Sequence, residues 1–161
     1  MTLSNWFHLR KLENKDAKRI LECIHDPEVT QYLEGDFDEI SDETIEKYIL
    51  TTQFQITTLT MAVVDERDEY LGQVMLKAID DEALTAEFGI IMSRAAWGSG
   101  AALEAMKQIV RIAFNGIKLK KVYWMVNAEN KRALKFYQKS GLFTEKKEYG
   151  ALIRYELEKE L

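Results

Sequence analysis

Two glycines, Gly98 and Gly100, separate an apolar strand pattern from a long amphipathic helix pattern. Glycine permits positive φ and lets the backbone approach a ligand closely. The first N–H groups of the following helix have no intrahelical acceptor, and the helix dipole adds partial positive charge there. Such a turn can bind phosphate through its backbone alone. An ordinary flexible turn gives the same pattern, so the glycines by themselves leave both interpretations open.

Two common phosphate-binding motifs do not fit this turn. No Gly-Lys-Ser/Thr follows the glycines, which argues against a nucleoside triphosphatase. A Rossmann turn has a third glycine and belongs to the first βαβ unit of a doubly wound sheet, and the sequence does not place this turn there. A phosphorylated cofactor of another kind remains the functional interpretation.

Charge is distributed unevenly along a chain of net charge −5. The segment 94–140 holds ten basic and two acidic side chains, a net charge of +8, so the remainder carries −13. The segment 26–48 holds nine acidic side chains and one lysine. This polarity favours a polyanionic cofactor on one side and a cationic acceptor on the other. Solvated helix faces of opposite sign would give the same pattern.

Polar groups also follow the next strand pattern. Asn127 ends that strand, and Asn130 stands where the following helix should begin. Asparagine there can cap the helix or contact a ligand, and both roles can coexist. Tyr137 lies on the same helix face as Asn130, so its hydroxyl can point toward the same cleft.

The turn and the asparagine-tyrosine segment together have a specific spacing, carried by Trp97, Gly98, Ser99, Gly100, Ala101, Ala102, Asn127, Asn130, Ala133, Phe136, Tyr137, Lys139, Gly141 and Leu142. This spacing resembles the GCN5-related N-acetyltransferase (GNAT) family, nearest to its ribosomal-protein N-terminal and spermidine acetyltransferase branch. The first half aligns with the Gln/Arg-x-x-Gly-x-Gly/Ala turn that binds the pyrophosphate of acetyl-CoA. The second aligns with Asn…Asn-x-x-Ala/Ser, an aromatic pair and Lys-x-Gly-Phe. The resemblance covers nearly the whole chain.

The resemblance implies acetyl-CoA as co-substrate, no metal, and direct attack of a primary amine on the thioester in a ternary complex. It implies pyrophosphate binding by Trp97, Gly98, Ser99, Gly100, Ala101 and Ala102, pantetheine contacts from Asn127 and Asn130, and backbone pairing of Ile91 and Met92 with the pantetheine arm. Trp97 and Ser99 depart from the family, which has Gln or Arg and a basic residue there. The turn therefore lacks side-chain cations, which leaves the backbone N–H groups and the Ser99 hydroxyl to hold phosphate.

Two residues are candidates for proton transfer. Tyr137 is the candidate acid, because the family uses a tyrosine here to protonate the departing thiolate; a packed aromatic is the alternative. Glu87 is the candidate base, because burial inside an apolar strand would raise its pKa. Strand alternation could equally turn Glu87 toward solvent. Tyr123, Glu129 or a water chain are then the other candidates.

Length and composition fit one domain over residues 1–161. No apolar run approaches the roughly 20 residues that span a bilayer, and the first ten residues lack a signal-peptide pattern. Cys23 is the single cysteine, and the two histidines are too few for a metal site. The sequence predicts a cytoplasmic protein without membrane or nucleic-acid partners. A homodimer is compatible with it.

Periodicity predicts an α/β (α+β) protein with a mixed sheet of about six to seven strands and about four helices. The expected order is β-α-α-β-β-β-α-β-α-β-β, which the resemblance also implies for the GNAT fold. The expected strands cover 7–10, 57–64, 71–79, 83–92, 121–127, 143–149 and 151–158, the last two forming a hairpin at Gly150. The expected helices cover 14–25, a segment capped by Ser41 or Asp42, 99–115 and 130–140.

The sequence gives the least information on the amine that would accept the acetyl group. The acidic segment and the resemblance favour a cationic primary amine, either a polyamine or a peptide N-terminus. An amino sugar or amino acid is the competing substrate class, and a catalytically silent acyl-CoA-binding module would have the same turn. Nucleic-acid binding by residues 94–139 is disfavoured, because interleaved aromatics are missing and the chain is acidic.

Overall fold

The computed structural model describes residues 6–160, which form one seven-stranded sheet with five helices. The strands are β1 (His8–Arg10), β2 (Leu59–Val64), β3 (Tyr70–Asp80), β4 (Thr85–Met92), β5 (Lys121–Asn127), β6 (Glu145–Tyr149) and β7 (Leu152–Glu158). The helices are α1 (Ala17–Ile24), α2 (Pro27–Thr30), α3 (Asp42–Thr52), α4 (Ala101–Arg111) and α5 (Lys131–Ser140). The strand order is β1-β2-β3-β4-β5-β7-β6. The predicted fold class is confirmed.

One helix was not expected from the sequence. The single turn α2 begins at Pro27, whose fixed φ suits the first helical position. The Asp26 side chain accepts a hydrogen bond from the Glu28 N–H and so caps the turn. Four residues are too few to show helical periodicity, so the sequence predicts no helix there.

Helices cover the sheet on both faces. Along β2, Val63 packs with the cluster under α4 and α5, while Ala62 and Val64 face α1 and α3. This alternation follows from the two-residue period of a strand. On α4, Met106 and Ile109 are fully buried, and each such side chain contributes about 1.5–3 kcal/mol of hydrophobic stabilisation.

The parallel pair β4–β5 opens partway along its length. It is in register from Thr85↔Lys121 to Glu87↔Tyr123. Beyond that point β4 continues to pair with β3 as far as Met92, and β5 continues to pair with β7 as far as Asn127. The two halves of the sheet therefore separate, and a wedge-shaped gap begins just after Glu87.

Candidate active site

The gap between β4 and β5 is part of a cleft of about 810 Å³. Its lining combines the far ends of both strands, the first turn of α4, one face of α5 along its length, and a segment after α1 that includes α2. We call residues 27–37 of that segment the cover segment. The cleft thus joins the glycine turn to part of the acidic segment.

The glycine turn is open toward the cleft. Gly98 and Gly100 have φ of +78° and +90°, and a Cβ added at either would meet nothing within 4 Å. Helix α4 begins at Ala101, so the N–H groups of Ala102 and Leu103 have no intrahelical acceptor. Gly98, Gly100, Ala102 and Leu103 all line the cleft. The turn can therefore accept an anion against its backbone.

The Ser99 hydroxyl makes hydrogen bonds within the turn. It donates to the Ala96 carbonyl at 2.5 Å and accepts the Ala101 N–H at 3.2 Å. The hydroxyl proton is therefore used inside the turn, and contact of Ser99 with phosphate stays a prediction. Ala101 is fully buried, and its N–H is likewise satisfied locally.

Trp97 supports a cation that the sequence analysis did not single out. The Trp97 indole N–H donates to the Met92 carbonyl at 3.1 Å. The Arg132 guanidinium carbon lies 3.4 Å from the centroid of the Trp97 ring, and both residues line the cleft. Partial burial lowers the pKa of Arg132. The signal for Arg132 was present in the basic run at the start of α5, but the contact with Trp97 is tertiary.

The free edge of β4 faces the gap. Ile91 and Met92 pair with β3 on one side, through Gln73↔Ile91 and Gly72↔Met92. On the other side β5 has already diverged. Because the Met92 carbonyl accepts the Trp97 indole, part of this edge is occupied from within the protein.

Asn127 and Asn130 stabilise the turn between β5 and α5. Asn130 Oδ1 accepts the Ala133 N–H at 3.1 Å and caps α5. Asn127 Oδ1 accepts the Glu129 N–H at 2.9 Å. Both residues also line the cleft. The local roles are therefore seen directly, and contact with a ligand stays a prediction.

Tyr137 lies at the inner wall of the cleft with only 6% of its surface exposed. Its ring centroid is 5.1–5.2 Å from those of Trp124, Phe136 and Tyr155. Burial, and less strongly the neighbouring Tyr155, raise the pKa of Tyr137. The phenol is therefore neutral at physiological pH and can act as a hydrogen-bond donor.

Glu87 lines the cleft but is not buried as expected. Its side chain is 34% exposed, and its carboxylate lies 3.8 Å from the Lys77 ammonium. The neighbours explain this: Glu87 is in register with Lys77 on β3 and Tyr123 on β5, on the sheet face that α4 and α5 do not cover. Glu87 is therefore not the buried base that the apolar strand suggested. It does lie at the start of the gap.

The other candidate bases are placed less favourably. The Tyr123 ring lies under the Arg154 guanidinium, 4.3 Å from its carbon. Glu129 is exposed, and its backbone carbonyl accepts a hydrogen bond from the Tyr32 hydroxyl at 3.1 Å. Neither residue lies among those that line the cleft.

The cover segment is tied to both sides of the cleft. Tyr32 connects it to the β5–α5 turn through the Glu129 carbonyl. Just before it, Asp26 accepts two hydrogen bonds from Arg94, at 2.8 and 2.6 Å, which lower the pKa of that carboxyl. From the acidic segment, Glu34 lines the cleft, whereas Asp36 and Asp38 lie outside the lining.

Residues 6–160 show neither a metal-binding cluster nor a membrane-spanning helix. No cluster of three or more His, Cys, Asp or Glu side chains is arranged to hold a metal ion. No helix in this range combines the length and apolar character required to cross a membrane.

The fold and its split sheet define the class of protein, and comparison with known proteins identifies the family. The acetyltransferase (GNAT) domain matches residues 7–142. The chain therefore belongs to the GNAT family of N-acetyltransferases, which confirms the resemblance.

Two relatives and one solved structure are similar to most of this chain. The chain is 31% identical to the uncharacterized N-acetyltransferase p20 of Bacillus licheniformis over 155 residues, covering 90% of this chain and 86% of the relative. It is 30% identical to the spermidine N(1)-acetyltransferase of Escherichia coli K12 over 138 residues, covering 85% and 73%. The fold matches the spermidine N-acetyltransferase of Vibrio cholerae, solved with CoA and spermine, with a TM-score of 0.80 at 23% identity and 96% coverage of both chains.

Proposed function

We propose that this N-acetyltransferase transfers an acetyl group from acetyl-CoA to a cationic primary amine, by direct attack while both substrates are bound. The observation that carries the proposal is the lining of the cleft, which combines an open phosphate cradle at Gly98 and Gly100 with the carboxylates of Glu34 and Glu87.

The cofactor end suits a pyrophosphate. The open space above the two glycines is where a Cβ would project, and the N–H groups of Ala102 and Leu103 are available there. The free edge of β4 around Ile91 suits the amides of a pantetheine arm, since an extended ligand can pair with an exposed strand edge. Acetyl-CoA supplies, when bound, a thioester that is already activated toward amines.

The catalytic end supplies a proton donor and an acceptor. The neutral Tyr137 phenol donates a hydrogen bond to the departing sulfur, because burial keeps it protonated. Glu87, at the point where β4 and β5 part, receives the proton of the incoming ammonium directly or through water. Its pair with Lys77 is long and partly exposed, so an acceptor ammonium can replace that contact at little cost.

The acceptor end favours positive charge with an apolar stem. Glu34 and Glu87 supply negative charge, and Tyr32, Leu33 and Phe37 line the cleft beside them. Aromatic rings and carboxylates together suit an alkylammonium chain. The relationship to spermidine N(1)-acetyltransferase supports the same acceptor class.

A panel of acceptors tests this proposal. Spermidine, a basic peptide, an acidic peptide, an aminoglycoside, a nucleotide-linked amino sugar and a free amino acid are assayed for thiol release from acetyl-CoA. We expect kcat/KM to be highest for spermidine or the basic peptide. A clear preference for the acidic peptide or the amino acid would assign Lys77, rather than Glu34 and Glu87, to acceptor binding and would refute the cationic acceptor.

A further inference from the structure

The phosphate turn of this protein lacks the side-chain cation that GNAT turns have at their first position or at the basic position that Ser99 takes here. Trp97 and Ser99 carry no charge, and the Ser99 hydroxyl is used within the turn. We infer that Arg132, laid flat on Trp97, supplies the missing cation and binds the pyrophosphate of acetyl-CoA. The inference rests on the proposed function and names the side chain that completes its cofactor site.

The orientation of Arg132 suits this role. Stacking on the Trp97 ring occupies one face of the guanidinium, with the carbon 3.4 Å from the ring centroid. The N–H donors of a guanidinium lie in its plane, so stacking leaves them available to phosphate oxygens. Because Trp97 is itself anchored through its indole N–H to Met92, the platform is fixed to β4. A flexible side chain is thereby held in place beside the glycine turn before any ligand binds.

The charge of Arg132 has no ion-pair partner among the described residues, although the lowering of its pKa by burial is partly offset by the nearby Glu28 carboxylate. Arg94 and Arg154 form ion pairs with Asp26 and Glu156. Among residues 6–160, no carboxylate forms such a pair with Arg132.

The position of Arg132 at the start of α5 is also unfavourable for a cation. Arg132 follows Lys131 in the first turn of α5, which contains no acidic residue. Cations are unfavourable at a helix N-terminus, because the dipole is positive there. Partial burial also lowers the pKa of the guanidinium. The Arg132 charge is repelled by the dipole of its own helix. An anion bound at this edge of the cleft would relieve that repulsion.

The test compares Arg132→Ala with a matched control. Lys135→Ala removes the same charge from an exposed position on the same helix, outside the cleft lining. CoA and 3′-dephospho-CoA are titrated into parent and variants by calorimetry. We expect Arg132→Ala to weaken both ligands by the same factor, roughly tenfold or more for a charge-assisted hydrogen bond. Lys135→Ala should bind both like the parent.

Two outcomes would overturn the inference. If the Arg132→Ala variant binds CoA with the parent's affinity, Arg132 does not contact the cofactor. A loss confined to CoA, with 3′-dephospho-CoA unaffected, would assign Arg132 to the 3′-phosphate instead of the pyrophosphate. If the parent itself failed to bind CoA, the proposed function would fail, which is a different result from either.

The platform is tested by a double-mutant cycle. If Arg132 acts from the Trp97 ring, Trp97→Leu should weaken CoA in the parent and add little in the Arg132→Ala background. Arg132→Lys should recover only part of the affinity, because an ammonium keeps the charge but loses the flat, forked geometry. Additive losses from the two substitutions would show that Arg132 binds independently of Trp97 and would contradict the proposed platform.

Discussion

At the scale of single residues, two buried tyrosines that touch each other have different expected roles. Tyr137 faces the cleft, whereas the Tyr155 hydroxyl is buried with no hydrogen-bond partner among the described residues. The ring centroids are 5.2 Å apart, so a hydroxyl deletion at either site disturbs the same aromatic cluster. Any difference between the two deletions then reports on the hydroxyl rather than on packing.

We expect Tyr137→Phe to lower kcat by on the order of a hundredfold while leaving CoA affinity unchanged, because a proton donor acts in the transition state. The matched control Tyr155→Phe should leave kcat unchanged. It should raise the free energy of unfolding by about 1 kcal/mol, since it removes an unsatisfied buried group. Steady-state kinetics and thermal denaturation measure both. Equal kcat in Tyr137→Phe and the parent would exclude Tyr137 as the donor.

Gly100→Glu should abolish CoA binding, because it places a side chain and a negative charge in the phosphate cradle. The backbone at Gly100 has φ +90°, so any side chain there also adds strain of about 1–2 kcal/mol. Gly150→Glu is the control, since it adds the same charge at φ +62°, also into open space, in the β6–β7 turn. Calorimetric titration with CoA compares the two. Binding by Gly100→Glu at the parent's affinity would mean that the cradle lies elsewhere.

Only those site residues that belong to short sequence motifs could be predicted from the sequence. The glycine turn, Asn130 and Tyr137 lie in short motifs, so their positions followed from the sequence. Arg132 lies against Trp97, and Glu34 reaches the cleft lining only through the tertiary fold, so no local pattern shows either placement. The sequence also left the exposure of Glu87 open, because strand alternation does not reveal which face of a sheet the helices cover.

At the scale of elements, the cover segment forms part of the cleft wall, on the side that we propose binds the acceptor. It is held by the Arg94–Asp26 pair at one end and by the Tyr32–Glu129 hydrogen bond further along. Both contacts join residues far apart in the chain and lie at the surface. The Arg94–Asp26 pair is bidentate and is the stronger of the two contacts, whereas a single exposed hydrogen bond such as Tyr32–Glu129 contributes about 0.5–1.5 kcal/mol.

Tyr32→Phe should raise the acceptor KM and leave the CoA affinity near that of the parent. It removes one hydrogen bond, worth about 0.5–1.5 kcal/mol, from the side of the cleft proposed for the acceptor. Tyr149→Phe, at an exposed position on β6, is the control. Kinetics with varied acceptor at saturating acetyl-CoA measure the effect. A change in CoA affinity without a change in acceptor KM would place the cover segment on the cofactor side.

Most elements could be predicted because their signals are local. The β6–β7 hairpin forms at Gly150 as expected, and β5 has the expected bounds. The place of β7 between β5 and β6 depends on long-range pairing, as does the separation of β4 from β5 after Glu87. Periodicity identifies a strand but not its neighbour, so the cleft itself could not be read from the sequence.

At the scale of the whole molecule, both of the oppositely charged segments contribute side chains to the lining of one cleft. The basic segment contributes Arg132 and Lys139 to the lining, and the acidic segment contributes Glu34. The remaining acids of that segment can act only through their longer-range field, which salt screens. Raising ionic strength from 0.1 to 1 M shortens the Debye length from roughly 10 to 3 Å.

Glu34→Gln should therefore raise the KM of a cationic acceptor severalfold, and added salt should raise the parent's KM in the same direction. The control Asp38→Asn removes the same charge from outside the cleft lining and should have a small effect. Initial rates with spermidine at two salt concentrations provide the measurement. A larger effect from Asp38→Asn than from Glu34→Gln would locate the acceptor outside the cleft.

The most direct test of acetyl transfer follows both products, the free thiol and the acetylated amine, in one reaction. The parent protein is incubated with acetyl-CoA and spermidine, thiol release is recorded, and the amine is weighed by mass spectrometry. We expect one monoacetylated amine for each thiol released, and no thiol release when spermidine is omitted. Saturable CoA binding with no acetylated product from spermidine or from any amine of the acceptor panel would contradict the account and identify a silent acyl-CoA-binding module.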